Sequence, residues 1–473
     1  MIPTESSEDC LHLNIWTPVV RPFCAFDCNP RTVILFFYGR DFEHGCNNLD
    51  LYDGRALSAR GDVLVVVPNY RLGVFGFLNA HMPDAPGNVG LLDMLLALKW
   101  VQENIDAFAG DPRNIVLFGH DTGATSLGYF LLHPGLLKAH RRLILHSGSP
   151  LRPLRDNTAG ALANLRALAS SASCPAAAGD PGGSVDCLRN LTVPELQRAS
   201  DRLRIALGPR FVPSFDSFPM MESPFGVARS KLFEDKQVLV ASVVDEGAFE
   251  IGVVERTYLW DLADNQTAMA IGLMAALELY LNERDPANNC SDYLRKFAEE
   301  LEHKSLKSKQ LVRSAWRDFL GKFFFDCPLE YWAQNLTSAS KLHLFRFRHR
   351  PRRNTEKVTA RNDDLELVFG RPLITGVTGT MSNLSKKVID FWSYFARTGS
   401  LPAVSKAVQW PQFRSESPAR IEVFDTGFVT YRAGVSESCT QLMPLIYPRV
   451  HGWDTKTAAR PGTFTFLGER KGR

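Results

Sequence analysis

Between residues 30 and 150 the sequence alternates between short apolar segments and longer helical patterns, and this alternation restricts the possible folds more than any other feature. Residues 32–37 (TVILFF) and 62–67 (DVLVVV) are apolar and rich in β-branched residues, which predicts two buried strands. Residues 89–105 present the broad apolar face of a helix. The alternation continues with a strand at 114–118, a helix at 122–132 and a strand at 142–145. Strands that alternate with helices predict an α/β fold with a central, mostly parallel sheet flanked by helices.

The remainder of the chain adds fewer strands and more helix. Residues 157–204 and 260–325 are predicted to be mainly helical, and residues 237–240 and 342–347 are predicted strands. A late helix is predicted at 384–398, ending at Gly399, which suits a helix C-cap. We predict a single domain over residues 1–450 and a polar, flexible tail over residues 451–473.

Charge and composition exclude several classes of function. The net charge is only +3, from 54 Lys and Arg against 51 Asp and Glu, so the sequence predicts no nucleic-acid partner. The basic run at residues 346–353 (RFRHRPRR) is interpreted as a solvated loop after a strand. The sequence has no apolar run of 18 residues, so we predict no membrane span. Cysteine and histidine pairs at zinc-ligand spacing are missing, so we predict no metal and no cofactor.

Two features favour a secreted or extracellular protein. The chain has nine cysteines and five glycosylation sequons, at Asn190, Asn265, Asn289, Asn335 and Asn383. Cys174 and Cys187 bracket a loop rich in Ala, Gly and Pro that a disulfide would restrain, although two free thiols are an alternative. The first ten residues lack the basic and apolar regions of a signal peptide, so we expect an N-terminally shortened form.

The strand, turn and helix over residues 114–132 contain GHDTG, Gly119 to Gly123. Hydrolases of the α/β type carry G-x-S-x-G in this position, with the central side chain exposed on a strained bend. Here the central residue is Asp121. Because Asp tolerates the left-handed conformation and a carboxylate is favoured at a helix N-terminus, we expect the bend to be retained without its nucleophilic serine.

Longer segments resemble the type-B carboxylesterase and cholinesterase family. They are residues 7–16 (SEDCLHLNIW), 66–78 (VVPNYRLGVFGFL), 87–119, 211–216 (FVPSFD), 239–249 (LVASVVDEGAF), 364–370 (DLELVFG) and 384–399. The resemblance runs in order from about residue 7 to 446 and implies an α/β-hydrolase fold. It also implies that the family's N-terminal portion, which supplies a partner for Cys10, is missing.

The resemblance assigns roles to individual residues. The family's acid falls on Glu246, its histidine base on Arg361 and its serine nucleophile on Asp121. The oxyanion hole falls on Gly39, Arg40, Asp41 and Thr122, so that two of three glycines are replaced. A guanidinium stays protonated and cannot act as a base, and side chains at Arg40 and Asp41 are expected to crowd the oxyanion hole.

The resemblance also implies disulfides and partners. It pairs Cys174 with Cys187 and Cys327 with Cys439, and leaves open the pairing of Cys24, Cys28, Cys46 and Cys290. The helix at 384–398 and the segment 440–447 resemble elements through which such domains dimerise, although the helix can equally be docked on its own core.

The combined prediction is a catalytically inactive, cholinesterase-like protein that serves protein–protein binding, adhesion or homodimerisation. One alternative is a protein that binds a small apolar ligand in the cavity corresponding to the family's active-site gorge. Another is a hydrolase of esters or epoxides with Asp121 as nucleophile, which would still need a histidine to activate water. In the inactive case we expect Arg361 to bridge Asp121 and Glu246, because both carboxylates would otherwise be buried unpaired.

Overall fold

Seven parallel strands form the centre of a nine-stranded sheet. The computed structural model describes residues 7–18, 29–133, 135–154, 158, 160–175, 180–203, 210–215, 217–220, 235–257, 274, 277, 297, 299–300, 308–336, 340–349, 358–402, 410–414, 418–424, 427–432 and 437–446. Within them the strands are β1 (Leu13–Trp16), β2 (Arg31–Phe37), β3 (Leu64–Pro68), β4 (Asn79–Met82), β5 (Ala85–Pro86), β6 (Gly110–His120), β7 (Arg142–His146), β8 (Lys236–Val243), β9 (Ser340–Phe347), β10 (Ala419–Phe424) and β11 (Gly427–Arg432).

The sheet order is β1-β3-β2-β6-β7-β8-β9-β10-β11, and β4 and β5 form a separate pair. The pairs from β3 to β10 are parallel, whereas β1 and β11 join the two edges antiparallel. All five residues of β3 are buried, which is the pattern of a strand covered on both faces. The carboxyl ends of β2, β6, β7 and β8 therefore meet at one edge of the sheet.

Helices cover the sheet. The described α-helices are Arg55–Gly61, Gly73–Phe77, Val89–Asn104, Thr122–Leu132, Ala161–Ser171, Pro181–Arg189, Val193–Asp201, Ala248–Thr257, Lys309–Gly321, Cys327–Leu336, Asp363–Val368, Arg371–Ile374, Thr380–Thr398 and Glu437–Ile446. A π-helical turn at Lys322–Asp326 joins two of them, and short 3₁₀ turns occupy Asp50–Tyr52 and Ile105–Phe108. Among the described residues, the structure contains no helix that is both long and apolar enough to cross a bilayer.

The α/β prediction with a mostly parallel, helix-flanked sheet is confirmed, and the deviations are at element ends. The predicted strand over 62–67 begins only at Leu64, because Asp62 is the left-handed C-cap of the preceding helix, with φ 51°. The helix predicted from residue 384 begins at Thr380 and ends, as predicted, before a left-handed Gly399. Much of residues 260–307 and the predicted tail 451–473 lie outside the described residues.

The structure contains the two expected disulfides, Cys174–Cys187 and Cys327–Cys439. Cys10 and Cys46 have free thiols, and Cys24, Cys28 and Cys290 lie outside the described residues. Of the predicted glycosylation sites, Asn190 and Asn383 are exposed, and Asn335 belongs to the helix Cys327–Leu336. Asn265 and Asn289 are not described. Glycosylation stays a prediction.

Candidate functional site

The carboxyl ends of the central strands bring together residues that are far apart in the chain. Asp41 follows β2 by four residues, Asp121 follows β6 directly, and Arg152 lies in the loop after β7. Glu246 and Glu250 follow β8. In open parallel sheets this edge is where sites are built, because loops from neighbouring strands converge there.

A sharp bend places Asp121 between β6 and the helix Thr122–Leu132. Its backbone has φ 52° and ψ −117°, an unusual conformation for a residue with a side chain. The flanking glycines are required by close approach of the backbone: a Cβ on Gly123 would lie 2.1 Å from the Phe37 carbonyl oxygen, and one on Gly119 would lie 2.5 Å from the Ala124 nitrogen. The bend predicted from GHDTG is therefore present.

Both carboxylate oxygens of the buried Asp121 accept hydrogen bonds. Oδ1 accepts from Arg152 Nη1 at 2.7 Å and from the backbone N–H of Asp41 at 3.3 Å, and Oδ2 accepts from Arg361 Nη1. Burial by itself would raise the pKa of this carboxyl, but the charges of Arg152 and Arg361 lower the pKa to about 2. Asp121 is therefore ionised and fully engaged at neutral pH.

Arg361 is buried and donates to two carboxylates. Nη1 donates to Asp121 and Nη2 donates to Glu250, whereas Nε lies 4.0 Å from Glu246 Oε2 and makes no hydrogen bond to it. The predicted bridge to Asp121 is present, and Glu246 lies at ion-pair distance from Arg361 although no hydrogen bond joins them. The second hydrogen bond of the guanidinium goes to Glu250, because the helix Ala248–Thr257 carries Glu250 to it while Glu246 accepts from other donors.

Those donors are Ser147 and the backbone of β8. Glu246 Oε1 accepts from Ser147 Oγ at 2.8 Å and from the Val243 N–H at 2.9 Å. Burial raises the pKa of Glu246 to about 8 despite the nearby Arg361. Burial also raises the pKa of Glu250 to about 7. Glu246 is therefore mainly protonated at neutral pH, which weakens its ion pair with Arg361.

Arg152 completes a buried ion cluster, which we define as Asp41, Asp121, Arg152, Glu250 and Arg361. Its guanidinium donates to Asp121 and to Asp41. The Phe325 ring packs against both arginines, with its centroid 4.5 Å from Arg152 Cζ and 4.2 Å from Arg361 Cζ. Each buried charge in the cluster therefore has at least one opposite charge within hydrogen-bond range.

The residues predicted to correspond to an oxyanion hole are turned towards other partners. The Asp41 N–H donates to Asp121, and the Phe42 N–H donates to Thr122 Oγ1 at 3.3 Å. A Cβ on Gly39 would collide with the same Thr122 hydroxyl, at 2.1 Å. The Arg40 side chain extends over the Phe249 ring, with Cζ 3.4 Å from the centroid. The backbone N–H groups of Asp41 and Phe42 are thus used within the protein.

Two buried histidines lie near the bend. His146 Nδ1 lies 2.5 Å from Asp364 Oδ2, and its Nε2 accepts from the Trp392 indole N–H at 3.0 Å. Both ring nitrogens of His120 are buried without a hydrogen-bond partner among the described residues. Burial lowers the pKa of His120 to about 4. His146 is therefore fully hydrogen-bonded, and His120 is a neutral and weakly basic imidazole.

A cavity of about 1760 Å³ opens on one side of the ion cluster. Arg40, Asp41, Arg152 and Glu250 contribute to its wall, whereas Asp121, Glu246 and Arg361 are not among the residues that line it. Three members of the ion cluster, Asp41, Arg152 and Glu250, thus lie at the cavity surface, whereas Asp121 and Arg361 lie behind them.

Sequence reasoning missed Arg152 and Glu250. Glu250 lies four residues after Glu246, so helical spacing could have placed both on one face. Arg152 carries no such signal, because only the convergence of β6 and β7 brings its loop to Asp121.

Comparisons with known proteins agree with this architecture. A sequence profile described as the carboxylesterase family matches residues 2–433. The chain is 30% identical over 435 residues to the acetylcholinesterase of Bungarus fasciatus, covering 88% of this chain and 68% of that protein. It is 29% identical to acetylcholinesterase-1 of Trittame loki, covering 87% and 75%, and 29% identical to the acetylcholinesterase of Electrophorus electricus, covering 92% and 74%.

Proposed function

We propose that this chain, which belongs to the carboxylesterase family, is a catalytically inactive member. In this proposal the buried ion cluster occupies the place of the reaction centre, and the protein acts by binding. The observation that carries the proposal is the double engagement of Asp121 by Arg152 and Arg361. Asp121, at the position where the family resemblance expects a nucleophile, is an ionised carboxylate that accepts hydrogen bonds from two arginines.

Ester hydrolysis by a serine mechanism needs a hydroxyl nucleophile and a base with a pKa near neutrality. Asp121 supplies no hydroxyl. Arg361 remains protonated beside Asp121 and Glu250, which raise the pKa of its guanidinium further although burial opposes them. The Asp41 N–H, which would be an oxyanion donor, is directed at the Asp121 carboxylate. These residues therefore provide neither the nucleophile nor the base, and the Asp41 N–H is not free to stabilise an oxyanion.

A mechanism with Asp121 as nucleophile is disfavoured by the same contacts. Attack on an epoxide or ester carbon would require Asp121 to give up hydrogen bonds from Arg152 and Arg361. The covalent ester that formed would then need a histidine to activate water. His120 is a weak base because burial lowers its pKa to about 4, and both nitrogens of His146 are already hydrogen-bonded.

We propose protein–protein binding or adhesion as the role of the chain, in a secreted or extracellular setting. Two disulfides support the oxidising setting. Small-ligand binding is a second candidate, and the cavity of about 1760 Å³ favours it because such a volume holds a ligand of considerable size.

The test of inactivity is turnover by the purified protein. Chromogenic short-chain esters and an aryl epoxide are offered to the native chain and to Asp121→Asn, which has nearly the same shape and no negative charge. We expect no turnover by either protein above buffer. Hydrolysis by the native chain would refute the proposal, and its disappearance in Asp121→Asn, with the variant shown to be folded by circular dichroism, would show that the reaction requires the Asp121 carboxylate.

A further inference from the structure

Arg40 is a cation in the cavity wall, and no carboxylate among the described residues forms an ion pair with it. Its guanidinium lies on the Phe249 ring, 3.4 Å from the centroid. In the described part of the chain the guanidinium has no hydrogen-bond partner, and Arg40 lines the cavity. Burial and the nearby charge of Arg361 both lower the pKa of Arg40, so the folded protein holds this cation in an unfavourable environment.

The other arginines of the cavity wall are all hydrogen-bonded. Arg71 pairs with Asp93 at 2.7 Å, and Arg152 donates to Asp41 and Asp121. Arg189 donates to the Asp84 carbonyl at 2.5 Å, and Arg210 donates to Asn164 Oδ1 at 2.9 Å. Arg40 therefore differs from these four arginines because, among the described residues, its guanidinium makes no hydrogen bond at all.

The acidic groups that interact electrostatically with Arg40 are Asp41, Asp121 and Glu250, and all three already accept hydrogen bonds from other arginines. Asp41 is engaged by Arg152, and Glu250 is engaged by Arg361. Arg361 also lies near the Phe249 ring, with Cζ 5.3 Å from the centroid, so two cations contact one aromatic ring and repel each other. An anion that enters the cavity would relieve this repulsion and fill the guanidinium donors.

The remaining wall decides what kind of anion fits. Much of it is apolar, including Leu49, Leu72, Phe75, Leu188, Phe249 and Phe324. A small inorganic anion would leave this surface exposed to water, whereas an alkyl chain would cover it.

We propose that the cavity binds a small amphipathic carboxylate, with the carboxylate on Arg40 and the apolar body along the leucine and phenylalanine wall. The proposal deepens the second candidate function given above and rests on the binding role of the chain. Arg40 supplies a charge-assisted, bidentate contact, and the wall supplies affinity that does not depend on charge.

The test compares three ligands with the same alkyl chain: dodecanoate, dodecanol and dodecyltrimethylammonium. Binding to the full chain is measured by calorimetry below the micellar concentration. We expect dodecanoate to bind about 10- to 100-fold more tightly than dodecanol, because a hydrogen bond to a charged group is involved. The cationic ligand is expected to bind more weakly than the alcohol. Equal affinities, or no binding of dodecanoate, would overturn the proposal.

Variants of the cavity wall test whether Arg40 contacts the carboxylate of the ligand. Arg40→Met is expected to reduce dodecanoate affinity to that of dodecanol while leaving dodecanol unchanged. Arg189→Met removes a half-exposed cation from the same wall and is expected to keep the preference for the carboxylate. Leu49→Trp narrows the cavity and should weaken both ligands. A carboxylate preference that survives in Arg40→Met contradicts the assignment, provided its thermal unfolding shows that the variant is folded.

This outcome is independent of the turnover test. Ester or epoxide hydrolysis by the native chain refutes inactivity without affecting the carboxylate preference, whereas a missing preference refutes the role of Arg40 without restoring catalysis.

Discussion

Arg361 donates a hydrogen bond to Asp121 although 240 positions separate the two residues in the chain. Both are buried, and each has a further partner of opposite charge, Arg152 for Asp121 and Glu250 for Arg361. Removing one member of such a cluster leaves an uncompensated buried charge, which costs more than the pair itself contributes. The cluster therefore makes the region around the bend at Asp121 important for stability.

Asp121→Ala is expected to destabilise the fold by about 3–5 kcal/mol, because it leaves Arg152 and Arg361 without their shared carboxylate. Urea unfolding followed by circular dichroism measures the change. Asp390→Ala is the matched control, since it removes a half-exposed carboxylate that pairs with Arg60 and is expected to cost less than about 1 kcal/mol. Equal effects of the two variants would show that the cluster is not stabilising.

Introducing the serine and histidine that the family resemblance expects is not expected to give hydrolysis. The double variant Asp121→Ser with Arg361→His still has Arg40 and Asp41 in the oxyanion loop and Arg152 beside the bend. We expect no turnover of a chromogenic acetate ester above that of Asp121→Ala. Measurable hydrolysis by the double variant would mean that the loop tolerates a developing oxyanion and that only the two triad residues had been lost.

Glu246→Gln should change how stability depends on pH. The pKa of Glu246 is raised from 4.5 to about 8 in the folded protein, so its protonated form favours folding. This contribution is complete below about pH 4.5 and is lost as the pH rises through about 8. A glutamine stays neutral and still accepts from Ser147 and Val243, as Oε1 of Glu246 does.

The variant is therefore expected to gain stability relative to the native chain as the pH increases from 5 towards 9, measured as the difference in unfolding free energy at each pH. The surface variant Glu103→Gln controls for loss of a carboxylate as such. A constant difference across this range would show that Glu246 is ionised throughout.

Gly123→Ala tests the close contact between helix and sheet. The added Cβ would lie 2.1 Å from the Phe37 carbonyl oxygen and 2.8 Å from that of Tyr38, so helix and strand must separate. We expect a loss of about 1–3 kcal/mol in urea unfolding. Gly182→Ala is the control, because its Cβ would lie 3.5 Å from Asp180 Oδ1, an ordinary contact distance, and it should be neutral or slightly stabilising. Similar behaviour of both variants would contradict the argument.

The sequence by itself predicted the alternating strands and helices and the bend at Gly119 to Gly123, because these depend on local apolar periodicity and on glycine spacing. It also placed an aspartate at the centre of the bend and, through the family resemblance, an arginine where a histidine is expected. These features can be read from neighbouring residues without knowledge of distant contacts.

Only the tertiary structure decided how the charges are paired. Arg152 and Glu250 carry no local pattern that assigns them to Asp121 and Arg361, and Glu246 was the expected partner in place of Glu250. Pairing depends on side-chain reach across the carboxyl ends of β6, β7 and β8, which parallel registers align although the strands are far apart in the chain. Geometry between strands, and not the spacing of residues along them, selects which opposite charges meet.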